Sequence, residues 1–341
     1  MPMSAPAISV IVVFHNAETT IERTLRSIAR QSMTDVEYIF VDDGSTDRTV
    51  EIIRDFMALY PDMSGRHLLI SGTVRRGLAH GSATGYAHAG GEYVMRCDAD
   101  DYLSPDALNV LWDASGHGVF DAVFAPYIRE CGDKSRVVGF RRKPMSLNDM
   151  PIDTLHFSLC TKLLRRSILV DNGIVAFDGI DCWEDLGVVS RFMMTSPKIN
   201  VIDTPVYHYV ASPGGRTLSS SVNERLLREH LMMALLVEKW FVEHGAEEKY
   251  AEFLNHLKFI AKVRFMRGRD KNAAKWKKTF PEVNGVIMTL RHVGIVWRLL
   301  FKSISILPAA LVQRVADMCD VFYPRSRAEA PVAVKMPPQD Q

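Results

Sequence analysis

Between residues 8 and 101, short apolar runs alternate with longer amphipathic ones, and this alternation leaves few architectures open to the chain. Ile8 to Val13, Val36 to Val41, His67 to Ser71 and Tyr93 to Cys97 have strand length. Ala17 to Gln31, Thr46 to Tyr60 and Leu78 to Ala89, lying between them, have helical length and spacing. Such a βαβ series predicts a mostly parallel sheet with helices on both faces. In sheets of this kind ligands gather beyond the carboxyl ends of the strands.

Further along, Phe120 to Glu130 and Arg136 to Arg141 read as strands around the polar turn Gly132-Asp133. Asp178 to Asp185 opens a helix running to about Met194, and Val201 to Val210 gives two short strands broken at Pro205. Ala211 to Ser221, with Arg216 inside it, has the Gly, Ser and Pro content of a mobile lid. From Val222 the pattern is helical only, with helices at Val222 to His244, Ala246 to Arg267, Asn284 to Ile306 and Ala309 to Phe322. Residues 324–341 read as disordered.

The net charge of +1 conceals an asymmetry. Residues 1–220 carry 21 Lys and Arg against 27 Asp and Glu, and residues 221–341 carry 20 against 13. From Leu254 to Lys302 the count is 12 basic against 2 acidic, which suits an anionic surface and equally suits a solvated helix face. On the helix Asn284 to Ile306, the residues Asn284, Arg291, Arg298, Lys302 and Ser305 share one stripe. The apolar remainder packs on other helices, or lies in a bilayer interface with Trp297 and Phe301 inserted. Five scattered cysteines without a Cys-x-x-Cys pair imply a reducing compartment and no structural zinc. No apolar run reaches about 18 residues, the minimum for a spanning helix, and Ile8 to Phe14 lacks the basic start of a signal peptide. A cytoplasmic protein is expected, peripheral at the inner membrane face if residues 254–306 touch lipid.

Two groups of carboxylates end adjacent strands. Asp42 and Asp43 follow the second strand, and Asp98, Asp100 and Asp101 follow the fourth. Asp98 and Asp100, two apart, project to the same side of an extended backbone and offer hard oxygen donors for Mg²⁺ or Mn²⁺ shared with a diphosphate. Asp42, Ser45 and Asp47 can accept from a nucleotide or simply cap the next helix. Arg75, Arg76 and Arg216 are candidate phosphate clamps. His208 is a candidate third metal ligand or a packed histidine, and Trp183 a stacking surface for a sugar or a core residue.

In order, His15-Asn16, Asp42 to Asp47, Arg75-Arg76-Gly77-Leu78, Gly91 to Asp101 and Glu184-Asp185 resemble the motif series of family 2 glycosyltransferases of the bacterial cell-surface glycan type. His15 stands where that family usually has tyrosine, and Arg75 where it has asparagine. The resemblance covers about residues 7–220. It implies a GT-A type, Rossmann-like α/β fold for nucleotide-diphospho-sugar transferases, here with an all-helical C-terminal extension. A nucleotide-sugar half (1–101) and an acceptor half (102–220) would be followed by the extension (221–323) and the tail. It further implies that His15 and Asp43 contact the base, with Asn16, Asp42, Arg75, Gly77 and Arg216 around the nucleotide-sugar. Asp98 would serve ribose and metal, Asp100 the metal, Asp185 as general base and Glu184 as its support or an acceptor contact. The implied reaction moves a sugar, most simply from a UDP-sugar, to a glycan or lipid-linked acceptor with inversion and with Mn²⁺ or Mg²⁺. A sugar nucleotidyltransferase and a catalytically inactive nucleotide-binding scaffold are the alternatives, and nucleic acid is not an expected partner.

Overall fold

In the computed structural model, residues 5–60, 67–211, 224–266, 272–308 and 311–312 are described. They form two compact units, 5–145 with 157–211, and 146–156 with 224–312. The first begins β1 (Ile8–Phe14), α1 (Ile21–Ala29), β2 (Val36–Asp42), α2 (Thr49–Leu59), β3 (His67–Ser71), α3 (Leu78–His88) and β4 (Tyr93–Arg96). Next come β5 (Tyr102–Leu103), α4 (Ala107–Ala114), β6 (Ala122–Phe124), β7 (Tyr127–Cys131) and β8 (Lys134–Val138). After α5 (Thr154–Phe157) follow β9 (Lys162–Arg165), α6 (Arg166–Asp171), α7 (Glu184–Met194), β10 (Ile199–Val201) and β11 (Tyr207–Val210).

Seven strands form one sheet in the order β10-β6-β9-β4-β1-β2-β3. All neighbours are parallel except β9, which runs antiparallel to both β4 and β6. All seven residues of β1 are buried, as an apolar central strand covered on both faces requires. α3 lies close on β1 because Gly85 has no side chain; a Cβ there would run into Ile11. Phe14 faces Asp42 across β1 and β2, so the loops after both strands open at one edge, and Ile11 of β1 faces Arg96 of β4. A smaller sheet, β5-β11-β7-β8, packs strands from the later part of the unit together.

The single strand expected from Phe120 to Glu130 is two, β6 and β7, separated at Ala125-Pro126, where proline cannot donate to a ladder. Nor does the backbone stay extended through Asp98 and Asp100. β4 ends at Arg96, and Ala99-Asp100 form a turn in which the Asp101 N–H donates to the Asp98 carbonyl at 3.2 Å. The period-two argument for those carboxylates therefore does not apply.

The second unit contains α8 (Glu224–Glu243), α9 (Ala251–Val263), α10 (Ala273–Lys278), α11 (Val283–Val286) and α12 (Ile295–Ile306). Its core surrounds the fully buried Trp276, with Phe301 stacked at 5.4 Å and Val283, Ile287, Leu290 and Ile304 packed around. The helix expected from Asn284 to Ile306 is broken into α11, a 3-10 turn at Ile287–Thr289 and α12. Splitting lets the chain double back so that both pieces bury apolar residues in one core, and extended Gly294 starts α12. The expected basic stripe is consequently divided, and its charges meet protein groups. Arg291 pairs with Glu252, Arg298 Nη1 donates to the Met288 carbonyl at 2.6 Å, and Lys302 Nζ donates to the Asn284 carbonyl at 3.2 Å. Of the two readings of the apolar face, packing on other helices or insertion in a bilayer, Phe301 follows the first: it is 3% exposed in this core. The helix expected from Ala309 to Phe322 lies largely outside the described residues, as do Arg216, most of the lid segment and the tail.

Candidate active site at the carboxyl edge of the sheet

The loops after β1, β2 and β3 are tied together by the acidic residues of the first group. The Asp42 Oδ1 accepts from the Ser45 N–H at 2.8 Å, closing the turn through Gly44. Asp43 Oδ1 accepts from the Arg76 N–H at 2.6 Å, its Oδ2 accepts from the Gly77 N–H at 2.9 Å, and Arg75 Nε lies 3.9 Å away. His15 Nδ1 is 3.0 Å from the Asp43 carbonyl oxygen. Asn16, in left-handed backbone at φ 50°, accepts from the Thr46 N–H at 2.8 Å. Six residues singled out by sequence, His15, Asn16, Asp42, Asp43, Arg75 and Gly77, are thus brought to one notch. Gly77 has φ 101°, and a Cβ on it would collide with the Asp181 carboxylate, whose Oδ1 accepts from the Ala79 N–H at 3.1 Å. Asp181 therefore caps the start of α3 from a distant segment.

The second acidic group is held from below by β11. Tyr207 Oη accepts from the Asp98 N–H at 3.1 Å and donates to Asp101 Oδ2 at 2.8 Å, while the Val210 N–H donates to Asp101 Oδ1 at 2.7 Å. Burial, then the charges of Asp98 and Asp100, push the Asp101 carboxyl up to about 8. Asp100 points outward, yet desolvation and then Asp98 hold its carboxyl above the ordinary range. Arg23 donates to the Asp100 carbonyl, fixing the turn from α1. Because Tyr207 faces this group, its strand neighbour His208 faces away. His208 stacks on Tyr102 at 4.2 Å and pairs with Glu130 at 2.8 Å, so it belongs to a separate cluster.

Arg96, the one charged residue in β4, joins the two carboxylate motifs and was not singled out by its sequence. A lone arginine in a buried strand was the available signal, since buried charges are paired. Its side chain is 4% exposed; Nε lies 2.9 Å from Asp98 Oδ1 and Nη1 lies 2.7 Å from Asp185 Oδ1. Nη2 donates to Asp185 Oδ2 at 3.2 Å, and Nη1 also donates to Glu184 Oε1. Burial alone would lower the affinity of Arg96 for its proton, but Asp185 and Asp98 outweigh it and raise it well above the usual value. Glu184 is 2% exposed, which leaves it no surface to meet an acceptor. Asp185 is 21% exposed and also accepts from the Leu159 N–H at 3.3 Å. Both acids open α7, where their charge favours the helix N-terminus, directly after Trp183 in strained left-handed backbone at φ 66°.

Among the described residues, no group of three or more His, Cys, Asp and Glu side chains is arranged to hold a metal alone. Asp98 and Asp100 nonetheless fit a hard cation that takes its other ligands from phosphate and water. Burial first and the charge of Asp98 second hold the Asp100 carboxyl up, and a cation bound there would offset both.

The sequence profile described as Glycosyl transferase family 2 matches residues 9–172, ending before Glu184-Asp185. EpsJ of Bacillus subtilis (strain 168), an uncharacterized glycosyltransferase, is 32% identical over 249 residues, 70% of this chain and 70% of the relative. EpsH of the same bacterium is 27% identical over 219 residues, and the chain spans 61% of its length. Residues 1–349 of TarS from S. aureus, solved with UDP-GlcNAc, superpose with a TM-score of 0.63 at 18% identity, covering 92% of each chain. The fold is therefore of the GT-A type with a helical C-terminal region. The chain belongs to glycosyltransferase family 2.

Proposed function

We propose that this chain is an inverting, divalent-metal-dependent glycosyltransferase that moves a sugar from a UDP-sugar to a glycan or lipid-linked acceptor of cell-surface polysaccharide synthesis. The observation that carries the reading is Asp185: a carboxylate oriented on two sides, by Arg96 and by the Leu159 amide, yet still open to solvent. In a single displacement the acceptor hydroxyl must lose its proton as its oxygen attacks the anomeric carbon, and one such carboxylate within reach suffices. No covalent nucleophile is needed. Glu184, buried behind it, supports the base through Arg96.

At the other end of the site, His15 and the Asp42-Asp43 turn receive the base of the nucleotide, and Asn16 and Gly77 shape the notch. Arg75, 63% exposed and only loosely paired with Asp43, is free to turn toward a diphosphate. Arg216 is assigned the same duty from the sequence. Asp98 and Asp100 would hold Mn²⁺ or Mg²⁺, which when bound neutralises charge on the departing diphosphate. The UDP-GlcNAc in the TarS structure supports a uridine donor. Calorimetric titration with UDP, GDP and UDP-hexoses, with and without Mn²⁺, tests the assignment on the intact chain and on Asp100→Ala. Manganese-dependent binding of UDP, abolished by the substitution, is expected; metal-independent binding in both proteins would remove the metal from the reading.

No described helix is long and apolar enough to cross a membrane. α12, however, leaves Ile295, Leu299 and Ile306 exposed on one side, with Val296 beside them. This face supports peripheral contact with the inner surface of the cytoplasmic membrane. Flotation of the full chain with anionic vesicles, lost in Leu299→Glu, is the expected result, and equal flotation of both proteins would move the contact elsewhere.

A further inference from the structure

Three carboxylates in the first unit surround one buried cation, with the Nε of its guanidinium in ion contact with one acid and its two Nη atoms shared between the other two. The Nε edge meets Asp98 at 2.9 Å, the Nη1 atom meets Glu184 and Asp185, and the Nη2 atom completes a two-point hold on Asp185 at 3.2 Å. Glu184 Oε2 is buried and accepts no hydrogen bond from any described residue, so Arg96 carries the compensation of that charge. A planar fork can face three acids at once, whereas an ammonium on a flexible stem meets them as a single point. The main chain fixes the fork as well. Arg96 is the last residue of β4, in register with Ile11 of the fully buried β1. The turn bearing Asp98 begins two residues later, and α7 supplies the other two acids.

We propose that Arg96 is a positioning residue for glycosyl transfer: it holds Asp185 at the open face of the site and, by gripping Asp98 with its third edge, sets the span between the diphosphate end and the base end. The inference rests on the reading of Asp185 as general base. It adds that the two motifs are not independent. Removing the Asp98 carboxylate frees one edge of the fork, so the base loses alignment along with the donor, and effects at Asp98 and Asp185 are less than additive.

The test uses the full chain with Arg96→Lys, Arg96→Ala, Asp185→Asn and the Arg96→Ala/Asp185→Asn pair. In Arg96→Ala, kcat is expected to fall about 100-fold, the usual cost of misplacing a reacting group by an ångström. Guanidinium ion at millimolar concentration should restore at least about tenfold of that loss, and Arg96→Lys should remain impaired, because the fork and not the charge is required. In thermal melts the change caused by Asp185→Asn in the parent should largely vanish in the Arg96→Ala background, a coupling readable without any turnover. Wild-type kcat in Arg96→Lys, or absence of guanidinium rescue while Asp185→Asn is inactive, would overturn the positioning role alone. Full transfer by Asp185→Asn would instead remove the base reading on which the proposal stands.

Discussion

Arg96 in the sheet unit and Lys262 in the helical unit are both buried cations, and they are neutralised in opposite ways. Lys262 Nζ donates to the carbonyls of Thr279 and Phe280, each at 3.1 Å, and to Asn284 Oδ1 at 2.5 Å, with the ring of Trp276 4.3 Å away. Burial pulls its amine down to about 8. Nearby Lys258 pairs with both Glu238 and Glu282. These charges close the ends of helices on which a core is built. Arg96 faces more negative charge than it can cancel, and the surplus sits on Asp98, 33% exposed, and Asp185. Buried charge met by carbonyls and rim glutamates marks structure here, and surplus acid at the sheet edge marks a place for a cation, a proton or a phosphate-bearing ligand.

If this contrast holds, substitutions in the two units have different readouts. Asp185→Asn should lower kcat by about 10²- to 10⁴-fold, the range for losing a general base, a loss much larger than its shift in melting temperature accounts for. Initial rates with a UDP-sugar and far-ultraviolet melts measure the two effects, and a rate loss explained by unfolding would erase the distinction. Trp276→Ala should cost about 3–5 kcal/mol by opening a cavity in the helical core. UDP affinity, measured by calorimetry below the melting range, should stay within about twofold, because the substitution touches no site residue.

A smaller, pH-dependent effect should sharpen the comparison. Burial, with the charge of His292 adding, lowers the His256 imidazole to about 3. Its folded value is depressed, so the neutral ring contributes stability above the unfolded value of about 6.5. As pH falls from there toward 3, the unfolded chain binds a proton that the folded chain refuses. Chemical denaturation at pH 7 and pH 5 should show a loss approaching about 1.4 kcal/mol per pH unit, flattened in His256→Asn. An unchanged slope in that variant would show that another group titrates.

Much of the sheet unit could be read from residues 8–101, because each buried strand there is a continuous apolar run and each helix keeps its period. α3 and β4 end within a residue of their expected positions. The helix expected from Asn284 to Ile306 failed for a related reason. Its apolar residues recur on both sides of Gly294, and periodicity cannot tell one helix from two pieces folded against the same core. At the candidate site, the clustering of Asp42, Asp43, Asp98 and Asp185 near strand or helix ends was legible. The roles of Arg96, Tyr207 and Asp181 were not, since their partners lie 88, 109 and 102 residues away. Contacts of that range leave no local period; the lone charge in β4 was the nearest thing to a written sign.

The close seat of α3 on β1 has an evolutionary consequence. Gly85 gives up its side chain to Ile11, and Ile11 is also the row partner of Arg96. Positions 11 and 85 should therefore vary together among homologues as one heritable character, with bulk admitted at 85 only where it is lost at 11. Lineages that broke this rule would have tilted the strand row from which Arg96 extends, so selection on the site would act as selection on a glycine that never touches it.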